Sequence, residues 1–277
     1  MLALINKILQ LFKYQIRKTI VFCGYYSKPD FIIVGAQKSG TSALFEILKQ
    51  HTAITGAIRK EIHFFDNDHQ FPCKNYNNYH LFFPFPYKVP FGHLLFEATP
   101  SYLFKPNVAE RIFAYNKNIK IIISLRNPVD RALSAWTMFH YGFKDHHKYS
   151  TLHDKQDFTN AMDNELNALK NEQWNVVKPP YIQTGIYFYQ IEKYYNLFPK
   201  ENILIIENSE LKNNHNNTIE EICNFLNLPF EQLPQKKINL SVKENKHEYN
   251  EVLERLNEFY KPYNEKLFQL IGKRYNW

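Results

Sequence analysis

The sequence predicts an α/β fold built on a central, mostly parallel β-sheet flanked by helices. Short apolar runs alternate along the chain with segments of helical periodicity, which is the pattern of βαβ units. One run, 121–123, consists of three isoleucines, as expected for a strand covered by helices on both faces. No repeat and no low-complexity linker divides the chain. These observations favour one α/β domain.

Strands are predicted at the short apolar runs 31–34, 54–57, 94–98, 119–125 and 203–206. Helices are predicted at 41–50, 106–115, 128–141, 158–171, 185–197, 218–226 and 248–271, with Pro262 as a candidate break in the last one. Residues 68–90 are predicted to form an irregular insertion near the strand ends, where ligand-binding loops lie. Its aromatic side chains either stack on sugar rings or pack in the core: Tyr76, Tyr79, Phe82, Phe83, Phe85 and Tyr87.

The composition bounds the kind of partner and the compartment. The 277 residues carry a formal charge of +7 and give a pI near 9.0, which suits an anionic ligand or partner without identifying it. Cys23, Cys73 and Cys223 lie far apart and form no C-x-x-C motif. This argues against a cysteine zinc site or a disulfide framework and favours a reducing compartment.

Residues 1–28 are predicted as a helical extension that precedes the domain at 29–277. Its apolar residues are interrupted and followed by Lys7, Lys13, Arg17 and Lys18, whereas a signal peptide carries its charges first. No apolar run reaches the 18 residues of a membrane span. An amphipathic helix fits better, and two placements of residues 1–26 remain open: on an anionic membrane surface or against the protein's own core.

A glycine-bounded loop follows the first predicted strand and reads Gly35-Ala36-Gln37-Lys38-Ser39-Gly40-Thr41-Ser42. Strand, tight loop and helix together aim backbone N–H groups and a helix N-terminus at a phosphate. A nucleotide triphosphatase would read G-x-x-x-x-G-K-[ST]. Here Lys38 precedes the second glycine by two residues and Thr41 follows it. The loop therefore predicts an anion site in which the lysine lies before the second glycine instead of directly after it.

A second segment, Lys60-Glu61-Ile62-His63-Phe64-Phe65-Asp66, combines a carboxylate, an imidazole and aromatic residues. If it is extended, Glu61 and His63 project to the same side and form an acid/base group beside a pocket. The alternatives are a surface Lys-Glu pair with a core histidine, or a metal site formed by His63, Asp66, Asp68 and His69. No spacing here matches a known metal-ligand set.

The third segment places Arg126 at the end of the strand 119–125, followed by Asn127-Pro128 at the start of a helix. An Arg at this position points into the ligand crevice of an open α/β sheet, and its planar fork suits a phosphate. Ser134 lies about two turns into the helix and can donate to the same group. His140, further along, either reaches an acceptor or packs. A triphosphatase would carry a magnesium-binding Asp at this strand end, so the Arg counts against such an enzyme.

In their order along the chain, these segments resemble the sulfotransferases that use 3′-phosphoadenosine 5′-phosphosulfate (PAPS), in particular the heparan sulfate branch and its bacterial relatives. The resemblance rests on Gly35-x-x-Lys38-Ser39-Gly40-Thr41-Ser42, Lys60-Glu61-x-His63-Phe64-Phe65, Glu97-Ala98-Thr99-Pro100-Ser101-Tyr102 and Leu125-Arg126-Asn127-Pro128-x-x-Arg131-x-x-Ser134. Weaker matches are Gly185-Ile186-Tyr187, Phe198-Pro199 and the tail from Tyr260 to Trp277.

The resemblance implies a three-layer, P-loop-kinase-like fold with strand 31–34 near the centre of the sheet. It implies Glu61 as the general base, Lys38 as the group that stabilises the leaving phosphate, and His63 as part of the acceptor site. It also implies binding of the 5′-phosphosulfate by the loop Gln37, Lys38, Ser39, Gly40, Thr41 and Ser42. The 3′-phosphate is assigned to Arg126 and Ser134, with Tyr187 and Lys243 as further cofactor contacts.

Three features differ from the glycosaminoglycan enzymes. Ala98 stands where those enzymes often have Lys, the stretch 239–247 lacks the cysteine of a disulfide-closed cofactor loop, and no secretory anchor is visible. Lys243 and Lys246 either close over the cofactor or stay solvated.

The expected activity is transfer of a sulfo group from PAPS to a hydroxyl or amine of a carbohydrate or glycolipid acceptor. No metal is expected to take part. The basic surface of the protein favours an acceptor that is anionic. No nucleic-acid partner is expected. A nucleotide kinase and a non-catalytic nucleotide- or glycan-binding module are the alternatives. We expect a cytoplasmic or membrane-peripheral location, although the sequons at Asn216 and Asn239 leave a secretory compartment open.

Overall fold

The computed structural model describes residues 2–69, 71, 75–146, 149–236 and 246–277, with the backbone alone for residues 2–4 and 246. Its centre is a five-stranded sheet of β1 (Phe31–Gly35), β2 (Ile54–Gly56), β3 (Leu94–Ala98), β4 (Lys120–Leu125) and β5 (Ile203–Glu207). The strand order is β2-β3-β1-β4-β5, and every described pairing is parallel. The predicted parallel sheet, with its first strand in the middle, is confirmed.

The α-helices of the described chain follow the predicted positions with differences at their ends. They are α1 (Leu2–Phe22), α2 (Thr41–Leu48), α3 (Asn77–His80), α4 (Val108–Tyr115), α5 (Pro128–Thr137), α6 (Phe158–Lys170), α7 (Tyr187–Leu197), α8 (Asn208–Asn213), α9 (His215–Leu226) and α10 (Asn250–Ile271). A π-helical turn, Met138–Gly142, continues α5. The short helices α3 and α8 were not predicted.

Helices cover both faces of the sheet, and successive residues of β1 point to opposite faces. Ile32 and Val34 pack with residues of α4, α7 and the end of α10, whereas Phe31 and Ile33 pack with α2 and α9. A third apolar cluster joins α5 and α6 to the first half of α10. The result is the three-layer arrangement that continuous apolar strands require.

Helix α10 does not break at Pro262. Its buried residues lie on both sides of the proline: Val252, Leu256 and Tyr260 before it, and Asn264, Leu267 and Phe268 after it. Packing against α5 and α7 therefore holds the helix together across the position where the proline removes one backbone hydrogen bond.

Candidate active site

The loop between β1 and α2 lies at the carboxyl edge of the sheet. Gly40 caps α2 with φ 82° and, as a glycine, has no side chain to bond the first amides of the helix. The first amides of α2 are therefore open to an anion. A Cβ at Gly40 would lie 2.4 Å from Oδ1 of Asn208, so glycine is required both by the backbone angle and by this close approach.

Hydrogen bonds to β4 and to the residue after it hold the loop in place. The hydroxyl of Ser124 donates to the carbonyl of Ser39 (2.6 Å), and the amide of Ala36 donates to the carbonyl of Ser124 (2.7 Å). Arg126, directly after β4, donates from Nη1 to the carbonyl of Lys38 (3.3 Å). The predicted convergence of the loop and the strand end is present in the structure.

Two cations meet at this edge. Burial lowers the pKa of Lys38, and the nearby positive charges of Arg126 and Arg131 lower it further. Burial also lowers the pKa of Arg126. The charged forms of Lys38 and Arg126 are therefore disfavoured by loss of water and by their mutual repulsion. An anion placed between them would offset both effects.

The other predicted cofactor residues differ in their access to this edge. Gln37, Gly40, Ser42 and Ser134 are partly exposed, whereas Ser39 and Thr41 are buried. Tyr187 is also buried, and its hydroxyl donates to the carbonyl of Arg126 (2.9 Å), so it helps to fix the backbone of Arg126. Lys243 lies outside the described residues.

Glu61 and His63 meet beside the loop, but not through an extended segment. Both have left-handed backbone angles, φ 60° and 56°. Nε2 of His63 lies 3.8 Å from Oε2 of Glu61, and Lys60 contacts the other oxygen of the carboxylate. Between them Ile62 is buried, whereas the two acid/base side chains are about half exposed. The predicted pairing is found, but the backbone that brings the two side chains together is not extended.

Asp66 completes this group and was missed as a catalytic candidate in the sequence. Its Oδ2 lies 2.9 Å from Nδ1 of His63 and accepts from the hydroxyl of Ser101 (2.6 Å). His63 therefore lies between two carboxylates. The spacing of three residues could have signalled the contact only if the tight backbone of 61–63 had been foreseen.

The charges of this group stabilise one another. Asp66 first, and then Glu61, raise the pKa of His63 to about 9. The imidazole of His63 is in turn the main cause that lowers the pKa of Glu61 to about 2. At neutral pH the group therefore consists of an imidazolium between two carboxylates. Glu61 lies near enough to Lys38 to act on its pKa, so the anion loop and this group form one site.

The motif from Glu97 to Tyr102 clamps the segment that carries Glu61 and His63. The buried carboxylate of Glu97 accepts from the hydroxyl of Thr99 (2.6 Å), whose oxygen accepts from the amide of Ile62 (3.1 Å). Glu97 also accepts from the hydroxyl of Tyr79 (2.9 Å). The hydroxyl of Tyr102 accepts from the amide of Phe64 (2.9 Å).

Other side chains singled out in the sequence lie in packing roles. Tyr79 and Phe83 are buried in the core, although Tyr87 is exposed. His140 stacks on Trp136 (ring centroids 4.6 Å apart), and its Nδ1 lies 2.9 Å from the carbonyl of Asp154. Packing is therefore the alternative that the structure supports for His140.

Two kinds of feature are absent from the residues that the structure describes. Among them, no group of three or more His, Cys, Asp or Glu side chains could hold a metal ion. In the same part of the chain, none of the helices has the length and apolar character needed to cross a membrane.

Comparison with known proteins gives consistent matches. The family described as "Sulfotransferase domain" matches residues 28–258. Heparan sulfate glucosamine 3-O-sulfotransferase 5 of Mus musculus is 28% identical over 275 residues, which cover 90% of this chain and 74% of the relative. The 3B1 enzyme of the same organism is 29% identical over 281 residues, which cover 92% and 67%.

A solved sulfotransferase structure from Alicyclobacillus acidocaldarius superposes with a TM-score of 0.67 and 27% sequence identity. The match covers 90% of this chain and 98% of that one. Together with the parallel sheet and its two helical layers, this likeness confirms the predicted P-loop-kinase-like fold.

Proposed function

The chain belongs to the sulfotransferase domain family and is a sulfotransferase, and we propose that it transfers a sulfo group from PAPS to a carbohydrate acceptor. The observation that carries the proposal is the meeting of two groups at one edge of the sheet. One is the anion loop with Lys38 and Arg126, and the other is Glu61 with His63 and Asp66. The first fits the donor, and the second fits an acceptor that must lose a proton.

The residues at the edge fit a donor with two separated anionic groups. The open amides of α2 and Lys38 would bind the 5′-phosphosulfate. Arg126 and Ser134 would bind the 3′-phosphate, with Tyr187 holding the carbonyl of Arg126. Lys243 stays a prediction as a further contact. When bound, PAPS supplies the sulfo group and leaves as adenosine 3′,5′-bisphosphate.

Glu61 would accept the proton of the acceptor hydroxyl or amine as the new bond to sulfur forms. Its low pKa keeps the carboxylate ionised throughout the physiological range. Acceptor binding would cover this half-exposed side chain, and loss of water raises the pKa of a carboxylate, which makes it a stronger base. His63, held by Asp66, would keep Glu61 oriented and contact the acceptor.

Lys38 would stabilise the charge that develops on the bridging oxygen of the leaving phosphate, together with the loop amides. We propose that no divalent metal is required. A sulfate group carries less charge than a terminal phosphoryl group, and the end of β4 carries Arg126 where a triphosphatase has a magnesium-binding Asp.

We propose an anionic glycan or glycolipid as the acceptor. The relatives named above act on heparan sulfate glucosamine, and the charge of +7 on this chain favours an anionic partner. Ala98 is an uncharged, fully buried residue and offers no cation to the acceptor. Specificity for a heparan-type chain would therefore need other basic residues.

The test is transfer of label from radiolabelled PAPS to a panel that contains unsulfated and N-sulfated heparan-type polysaccharides, an acidic glycolipid and a neutral glucan. We expect label in an anionic member of the panel, at least about 100-fold slower labelling with the Glu61→Gln variant, and no effect of a metal chelator. Magnesium-dependent phosphate transfer from ATP without use of PAPS would overturn the proposal.

A further inference from the structure

The N-terminal helix α1 carries an apolar stripe that faces away from the protein. Ile5, Ile8, Leu9, Phe12 and Ile16 recur at helical spacing and therefore lie on one side of the helix. They are between 46% and 63% exposed. The domain leaves residues 5–16 uncovered, so packing against the protein, the second placement that the sequence left open, applies only to the end of the helix near Val21.

The opposite side of α1 attaches the helix to the domain. Nε of Arg17 donates to the carbonyl of Leu81 (2.8 Å), and Nη2 contacts the carbonyl of Phe83. Its guanidinium lies 4.4 Å from the ring centroid of Phe85. Val21 is fully buried. Arg17 is about 140° around the helix from Phe12, at about 100° per residue. The attachment therefore fixes the outward direction of the stripe.

The charge of α1 indicates what covers the stripe. The helix contains Lys7, Lys13, Arg17 and Lys18 and no acidic residue. Lys7 and Lys13 are exposed and lie within the part of the helix that the domain does not cover. Two copies that paired through their stripes would bring cations together with no acidic residue of α1 to neutralise them. An anionic lipid surface would attract these cations and accept the apolar side chains.

We propose that α1 binds the surface of a membrane that contains anionic phospholipids. The helix lies in the plane of the surface, and the stripe from Ile5 to Ile16, about 16 Å long, enters the boundary of the acyl chains. Lys13, about 100° around the helix from Phe12, binds lipid headgroups at the edge of the stripe. Arg17, which is held by the domain, couples the orientation of the enzyme to that of the helix. The inference does not depend on the donor or the acceptor.

The test measures sedimentation of the full chain with vesicles of phosphatidylcholine, with and without phosphatidylglycerol. We expect binding that needs phosphatidylglycerol and weakens as salt is added. Phe12→Ser should weaken binding about tenfold or more, because a large apolar side chain leaves the lipid. Lys13→Gln should weaken it about fivefold, and Lys7→Gln, on the side of α1 away from the lipid, should weaken it less.

Tyr14→Ser is the matched control. Tyr14 is as exposed as the stripe residues (49%), is also aromatic, and lies two positions from Phe12 on another side of α1. It should bind vesicles like the unchanged protein. Unaltered thermal melting of each variant shows that the domain stays folded. Equal losses in Phe12→Ser and Tyr14→Ser, absence of binding to anionic vesicles, or a concentration-dependent dimer that Phe12→Ser dissociates would overturn the proposal.

Discussion

Nδ1 of His63 lies 2.9 Å from Oδ2 of Asp66, on the side of the imidazole away from Glu61. Because Asp66 is the largest cause of the raised pKa of His63, this contact determines the pH at which the catalytic group loses its positive charge. The arrangement is built within six consecutive residues, 61–66, and depends on hydrogen bonds to Thr99 and Tyr102, which follow β3, rather than on regular secondary structure.

We predict that the pH profile of kcat/KM has no acid inflection from Glu61 between pH 5 and 8, since its pKa of about 2 lies far below this range. Activity should fall as pH rises through about 9, where His63 loses its proton. Asp66→Asn keeps a hydrogen-bond acceptor for Nδ1 but removes the charge, so the alkaline inflection should move toward the ordinary histidine value near 6.5. An unmoved inflection in Asp66→Asn would refute this role.

Glu61→Gln should lower kcat by a factor of about 10² to 10⁴, the usual contribution of a general base. Binding of adenosine 3′,5′-bisphosphate should stay within about twofold, because Glu61 contacts the acceptor side of the site. Asp68→Asn is the control, since Asp68 is a nearby, largely exposed carboxylate that pairs with Arg111. If both variants lose activity equally, a general loss of charge near the site explains the result better than the loss of a base.

Glu97→Ala should lower the free energy of unfolding by about 2–4 kcal/mol, because the hydroxyls of Tyr79 and Thr99 lose a buried acceptor. Glu97→Gln tests the charge. Burial raises the pKa of Glu97 from 4.5 to about 7, so the folded state binds its proton more tightly than the unfolded state. Stability should therefore fall as pH rises from about 4.5 to 7 in the unchanged protein.

In Glu97→Gln this fall should be shallower, by up to about 3 kcal/mol. Urea unfolding at several pH values measures it, and a parallel pH dependence in the two proteins would count against the assignment.

Gly40→Ala should weaken binding of adenosine 3′,5′-bisphosphate, because the added Cβ would lie 2.4 Å from Oδ1 of Asn208 and shift the loop. The loss of stability should be about 1–3 kcal/mol. Gly92→Ala is a close control: Gly92 has the same φ of 82°, but no atom lies within 4 Å of its added Cβ. Calorimetric titration of both variants separates the contact from backbone strain, and equal binding by the two would refute the role of the close approach.

The strands could be predicted because each is a short apolar run, and β4, with Ile121, Ile122 and Ile123 fully buried, is the clearest case. The anion loop and Arg126 could be predicted because the carboxyl ends of adjacent parallel strands meet at one edge. These are local patterns whose three-dimensional consequence is nearly fixed.

The remaining features depend on contacts between distant parts of the chain. The left-handed angles at Glu61 and His63 are held by hydrogen bonds to Thr99 and Tyr102, and they bring Asp66 to His63. The approach of Asn208 to Gly40 and the continuity of α10 at Pro262 likewise follow from packing. Amphipathicity alone could not tell which side of α1 faces the domain, because that depends on Arg17 and the carbonyls near α3.

The most direct test of the donor site is calorimetric titration of adenosine 3′,5′-bisphosphate into the unchanged protein and into Arg126→Ala, with and without magnesium. The structure predicts binding that does not depend on magnesium. It also predicts that Arg126→Ala weakens binding at least tenfold, since a charge-assisted contact with a phosphate is lost. Absence of binding, or binding of ATP with magnesium in its place, would contradict the account.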